Sequence, residues 1–296
     1  MDFKDEIKKA RPNISVGTIK TYNSLLKTIY KSVFGNDEKV NIKNFDDKKS
    51  IIKFLESKPF NVRKTYLSAL VCITGNDDYK NMMLEDIKTY NDDVDKSYMT
   101  DKLKDAEITT DEIESLNSKL KANAELLLKK QSHTMNDLME IENYIIFSLY
   151  HGFIAPRRSL DFTMMRYKNY DDKHNFVDLK KSKMIFNRYK TDKFKGVQTI
   201  DIPIGLKKIL TKWINIIPAS CDYLLFNKKL EPLSAITMTQ RLNSIFGSKK
   251  SVNSLRHYYL TNKYKSLMIE SENMEKDMEN MGSSKQMANN YIKINE

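Results

Sequence analysis

The chain has 296 residues, 40% hydrophobic and 10% aromatic, which is enough apolar material to pack a core in each of two ordinary domains and excludes disorder over its whole length. No stretch approaches the roughly 20 uninterrupted apolar residues of a membrane span, and the opening MDFKDEIKKARP has acidic groups and no apolar run of about 7–15 residues, so a soluble, intracellular protein with no membrane partner is expected. The 50 Lys and Arg against 39 Asp and Glu give a formal charge of +11, which favours polyanionic partners. Cys72 and Cys221 stand one in each half without CxxC spacing; they imply neither a disulfide framework nor a zinc site, and they read as core thiols.

Between Thr18 and Phe34, Ile19, Tyr22, Leu25, Leu26, Ile29, Tyr30 and Val33 recur at helical spacing, with Lys20, Lys27 and Lys31 off the stripe. Breaks at Gly35-Asn36-Asp37 and Pro59 set off two further helices, Lys48 to Leu55 and Val62 to Ile73. From Thr89 to Asp105 the chain is rich in Asp, Lys and Asn and poor in large apolar residues, which marks a linker. Its end is announced by Thr109-Thr110-Asp111-Glu112, the pattern of a capping box ahead of Ile113, Leu116 and Leu120. The organisation expected is a helical domain over 1–95, a linker over 96–108 and a second domain over 109–296.

After Met135, Leu138, Ile141, Tyr144, Ile145 and Leu149 predict a buried helix running up to His151-Gly152. The clear β signal follows: Phe176 to Leu179, Met184 to Phe186 and Thr199 to Ile204, with the polar loop Asn187 to Gly196 between the last two. Helices are expected again at Leu206 to Ile216, Ser234 to Phe246 and Val252 to Ser266. The fold class is mainly α with a small antiparallel β-sheet inserted in the second domain.

Four clusters could carry chemistry. Arg157-Arg158 precede Asp161; Lys190 lies in the polar hairpin loop; Asn253, Arg256 and His257 share one helix; Met281-Gly282-Ser283-Ser284 comes before Tyr291. Taken singly, each has an ordinary explanation: a salt-bridging arginine, a solvated lysine, a packed tyrosine. Arg256 is harder to dismiss, because Leu255, Tyr258, Tyr259 and Leu260 around it imply burial, and a buried arginine needs an anionic partner. A guanidinium fork suits the oxygens of a phosphate.

Order and spacing together resemble the tyrosine recombinase (phage-type integrase) family. Arg158 with Asp161 matches the family's Arg-x-x-Glu/Asp, Lys190 its hairpin lysine, Leu255-Arg256-His257 its Leu-Arg-His core, and Met281-Gly282-Ser283-Ser284 before Tyr291 the box ahead of its nucleophile. The resemblance implies a helical core-binding domain joined to a catalytic domain in a C-shaped clamp on double-stranded DNA. It also implies a homo-tetramer on DNA and a source in a virus or mobile element. In the implied mechanism Tyr291 attacks a phosphodiester to give a 3′-phosphotyrosyl link, Arg158 and Arg256 grip the non-bridging oxygens, and Lys190 protonates the 5′-oxygen, with no metal or other cofactor. Lysines flanking the first helix, with Lys180, Lys181, Lys183, Arg188 and Lys193 near the hairpin, are then candidate phosphate contacts.

Two positions depart from the family pattern. Asn253 stands where a histidine is usual, and Ser283 where histidine or tryptophan is usual; both can still donate hydrogen bonds. His257, one helical turn after Asn253, either supplies the missing imidazole or packs structurally, and a shift of one residue would make Arg157 the clamp in place of Arg158. A non-catalytic DNA-binding relative and a type IB topoisomerase-like enzyme are the alternatives.

Overall fold

In the computed structural model, which describes residues 2–35, 41–95 and 107–292, the chain divides into two compact units, Met1–Met99 and Thr100–Glu296. It is mainly helical, with one three-stranded antiparallel sheet, and among the described residues no helix is long and apolar enough to cross a membrane. Both cysteines are buried free thiols.

The first unit is built on α2 (Val16–Phe34), α3 (Lys48–Glu56) and α4 (Phe60–Thr74), the three helices its apolar spacing predicts. Ser15 caps α2 by accepting the Thr18 amide at 3.1 Å, and Gly35 closes it at φ +88°, a left-handed conformation glycine adopts without the Cβ clash other residues meet. Two further helices, α1 (Lys4–Ala10) and α5 (Asp77–Asp95), were not expected. α1 contributes only Ile7, with Phe3 just before it, and these two are fully buried, Phe3 lying 5.5 Å from the Phe45 ring.

α5 corrects the expected linker, because Thr89 to Asp95 belong to it. Its acidic, Asn-rich sequence conceals a narrow inner face of Tyr79, Met82, Met83 and Asp86. The buried Asp86 carboxylate is held by Arg63 of α4 through two hydrogen bonds, at 2.9 and 2.6 Å, and Tyr79 donates to the Phe45 carbonyl at 2.9 Å. Polar anchors of this kind give no hydrophobic periodicity to read. Residues 96–106 of the expected linker lie outside the described residues. Its last two positions are part of the second unit: Ile108 is buried and the Glu107 carbonyl accepts from Lys250.

In the second unit Thr109 caps α6 (Thr110–Leu127) by accepting the Glu112 amide, and a complete box of Thr134 and Asp137 starts α7 (Met135–Tyr150). Nearly every residue of α7 from Asp137 onward is buried, so this helix is the axis of the core. Strands β1 (Phe176–Asp178), β2 (Lys183–Phe186) and β3 (Gln198–Asp201) pair in sequence order, with Met184 opposite Val177 and Ile200. The third strand ends before its expected limit at Ile204, because Pro203 breaks the ladder and Ile204 opens α10 (Ile204–Ile214). Between β2 and β3 the expected loop contains one helical turn, α9 (Asp192–Lys195). α11 (Ala235–Phe246) starts at a Ser234 cap, as its sequence predicts.

One buried polar tie joins α7, α11 and the segment around Phe226. Glu142 is fully buried; its Oε1 accepts the Phe226 amide at 2.6 Å and its Oε2 faces Arg241 at 3.2 Å, while Arg241 also donates to the Met139 carbonyl and to Asn143. Burial outweighs the Arg241 charge and pushes the Glu142 carboxyl up to about 8 from its ordinary 4.5. A carboxyl that binds its proton more tightly when folded stabilises the fold fully below the unfolded value, and that contribution is lost as pH rises through the folded one. The unfolding temperature is therefore expected to fall between pH 4.5 and about 8. Glu142→Gln, which keeps an acceptor for the Phe226 amide, should flatten that slope in thermal melts across the range; an unchanged slope would show that Glu142 stays ionised in the fold.

A candidate phosphate-binding site

Asp161 organises the site. It lies on α8 (Ser159–Thr163), one short turn after Pro156-Arg157-Arg158, and is only 3% exposed. The neighbouring arginine that pairs with it is Arg157: Nε donates to Asp161 Oδ2 at 2.8 Å and Nη1 to Gln198 Oε1 at 2.9 Å. The Arg157 guanidinium also lies over the Phe186 ring at 3.9 Å and the Tyr189 ring at 5.1 Å. With two nitrogens bonded and two rings beside it, this group ties α8 to the sheet.

Arg158 is left free. It is exposed, at the N-cap position of α8, and its side chain has no hydrogen bond or ion pair among the described residues. Arg256 sits in the second turn of α12 (Val252–Asn280), half-buried and likewise without a bonded partner. Both act on Asp161 electrostatically: burial raises that carboxyl, and Arg157, Arg158 and Arg256 pull it the other way. Arg256 and Asp161 also act on the buried Tyr150 hydroxyl, which burial pushes up and which lacks a hydrogen-bond partner among the described residues. Two guanidinium groups nearly a hundred positions apart in sequence are thus both near enough to act on the charge of one carboxylate, which Arg157 already pairs. The surplus is positive, which makes this group a candidate for binding an anion.

The loop bearing Lys190 is pinned to the same place. Asn175 donates to the Asp161 carbonyl at 2.9 Å and to the Arg188 carbonyl at 2.7 Å, and accepts the Arg188 amide at 2.7 Å. Tyr189 packs under Arg157, and Lys190 follows it, exposed and unpaired among the described residues. Of the other hairpin cations, Lys183 pairs with Asp201 at 2.8 Å, while Lys181 and Arg188 have looser partners at 3.9 Å in Asp178 and Asp192. Asn253 and His257 are exposed one turn before and one residue after Arg256 on α12.

Ser283 and Tyr291 are not brought into this group. The sequence pattern ends the last long helix at Ser266, but α12 continues unbroken to Asn280, because Glu, Lys and Met residues propagate a helix without needing a buried face. At ~1.5 Å rise per residue, Asn280 stands roughly 36 Å beyond Arg256. Gly282, at φ +69°, turns the chain, and the Ser283 amide donates to the Met278 carbonyl at 2.8 Å. A 3-10 turn and α13 (Ala288–Tyr291) follow. Lys285 reaches back to Glu275, itself roughly 28 Å along the helix from Arg256, so the helix rise separates Tyr291, 60% exposed, from Arg256 of its own chain. Among the described residues no cluster of His, Cys, Asp or Glu could hold a metal ion.

No protein-family model matches the chain, and no curated protein matches it. Among solved structures the chain is similar to XerA recombinase, with a TM-score of 0.38 and 13% identity, over 88% of this chain and 83% of that one.

The two adjacent arginines should separate by experiment. Arg157→Ala leaves a buried carboxylate uncompensated and is expected to cost about 3–5 kcal/mol of stability, whereas Arg158→Ala, at an exposed position, should change stability by less than about 0.5 kcal/mol. Chemical denaturation of the two variants measures both. The reverse order would mean that Arg158 carries the ion pair.

Proposed function

We propose that the second unit binds a DNA phosphodiester between Arg158 and Arg256, and that the chain breaks and rejoins DNA strands with Tyr291 as the nucleophile. The observation that supports this reading most directly is that Arg158 and Arg256, without bonded partners among the described residues, both act on the charge of Asp161, whose carbonyl holds Asn175 and through it the start of the loop that bears Lys190. The spacing of the motifs and the net charge of +11 support double-stranded DNA as the polyanion.

A phosphodiester resists attack because its oxygens are negative and its leaving alkoxide is poor. Arg158 and Arg256 neutralise the charge that grows on the non-bridging oxygens. The Tyr291 oxygen forms a bond to phosphorus as the bond to the 5′-oxygen breaks; the phenol proton is lost to solvent or a nearby base, and Lys190 gives a proton to the departing oxygen. The 3′-phosphotyrosyl link conserves the bond energy, so a 5′-hydroxyl can reverse the step on the same strand or another. Asn253, His257 and Ser283 are the remaining candidate donors.

The distance between Tyr291 and Arg256 within one chain favours a second reading, a DNA-binding protein that retains the arginines without cleaving. Incubation with nicked suicide DNA separates the two. A covalent protein–DNA complex is expected from the native chain, none from Tyr291→Phe, and a loss on the order of 10²–10³-fold from Arg256→Ala. Retention of DNA without any covalent complex would establish the second reading. Arg158→Ala is expected to lower the slope of log affinity against log salt by about 0.9, the signature of one lost phosphate contact; an unchanged slope would remove Arg158 from the DNA interface.

A further inference from the structure

Both α6 and α10 pack on α7, and a cleft of about 270 Å³ opens between them. Its floor is apolar, made by the buried Ile141, Tyr144 and Ile145 of α7 with Trp213 of α10. Its rim is cationic. Lys121 of α6 and Lys208 and Lys212 of α10 line it from exposed positions, against one carboxylate, Glu125. None of these lysines has a hydrogen bond or ion pair among the described residues. Lys208 and Lys212 stand one turn apart on α10, where like charges repel, and that helix has no acidic residue to offset them. Phe153 also lines the cleft and lies against Gly205, where an added Cβ would meet its ring at 2.6 Å, so the ring takes this place because residue 205 has no side chain.

An apolar floor offers a bare inorganic anion no compensation for the water it leaves, and unpaired ammonium groups repel a cationic amphiphile. A molecule with an apolar body and a negative end satisfies both halves of the lining. DNA satisfies one half only, because it brings phosphates to the lysines and no aliphatic chain to the floor. The volume lies just under the roughly 300–1,000 Å³ of ordinary ligand pockets, so the occupant is small. We propose that this cleft binds a short-chain amphipathic carboxylate, its apolar body on Ile145, Ile209 and Trp213 and its charge among Lys121, Lys208 and Lys212. The cleft shares no residue with the arginine site, so the inference stands apart from the strand-breaking function.

Trp213 is the single tryptophan of the chain, so its fluorescence reports on this cleft. The test titrates the full-length protein with 8-anilinonaphthalene-1-sulfonate, an anionic amphiphile that accepts energy from an excited tryptophan. Saturable energy transfer is expected. Hexanoate, octanoate and decanoate, each below its micelle-forming concentration, should displace the probe, with affinity rising about fourfold for every added methylene. Octylamine, of similar length and opposite charge, should leave it in place. The double variant Lys208→Glu, Lys212→Glu changes two exposed positions and is first shown to be folded by circular dichroism; it should weaken octanoate binding by about tenfold or more. Affinity independent of chain length, equal competition by octylamine, or an unchanged double variant would each overturn the inference. Displacement of the probe by a short DNA duplex and not by octanoate would overturn it too, and would assign the lysines to a polyanion.

Discussion

The buried Asp161 carboxylate is the constraint around which the second unit is arranged. A charge removed from water has to be compensated, and Arg157 does so from one turn away while also bonding Gln198 and lying over Phe186 and Tyr189. With that demand met, Arg158 is exposed, and Arg256 arrives from a distant helix with no bonded partner among the described residues. The Asp161 backbone takes part as well, because its carbonyl holds Asn175 and through it the start of the loop that bears Lys190. One short segment thus fixes the positions of three cations.

A second buried carboxylate serves stability. Glu142 and Arg241 join two helices and the Phe226 amide in a place that also includes the stacked rings of Trp213 and Phe226, 5.5 Å apart. The two acidic groups divide the work: Glu142 ties the core together, and Asp161 orients the surface of the candidate site. Nothing in the sequence around Glu142 distinguishes it from the exposed glutamates of a helix, since its partner Arg241 is nearly a hundred positions away.

The helices at Val16–Phe34 and Met135–Tyr150 were legible because each carries a stripe of Leu, Ile and Tyr that has to be buried. The three strands were legible from short β-branched and aromatic runs between turns. The Asp77–Asp95 helix was not, since three of the four residues on its inner face are an aspartate paired with Arg63 and two methionines. The extension of the last long helix from Ser266 to Asn280 was missed for the opposite reason: it is held by propensity and has no buried face to announce it.

By itself the sequence determined the fold class, most element positions and the candidate residues, because hydrophobic period and motif order are local properties of the chain. The tertiary structure decided which of two adjacent arginines is spent on Asp161, because that depends on Gln198, Phe186 and Tyr189 arriving from the sheet. It also decided the place of Tyr291. A motif gives the order of residues along the chain, whereas the rise of an unbroken helix sets how far apart they stand, and here that rise carries the tyrosine away from Arg256 of its own chain.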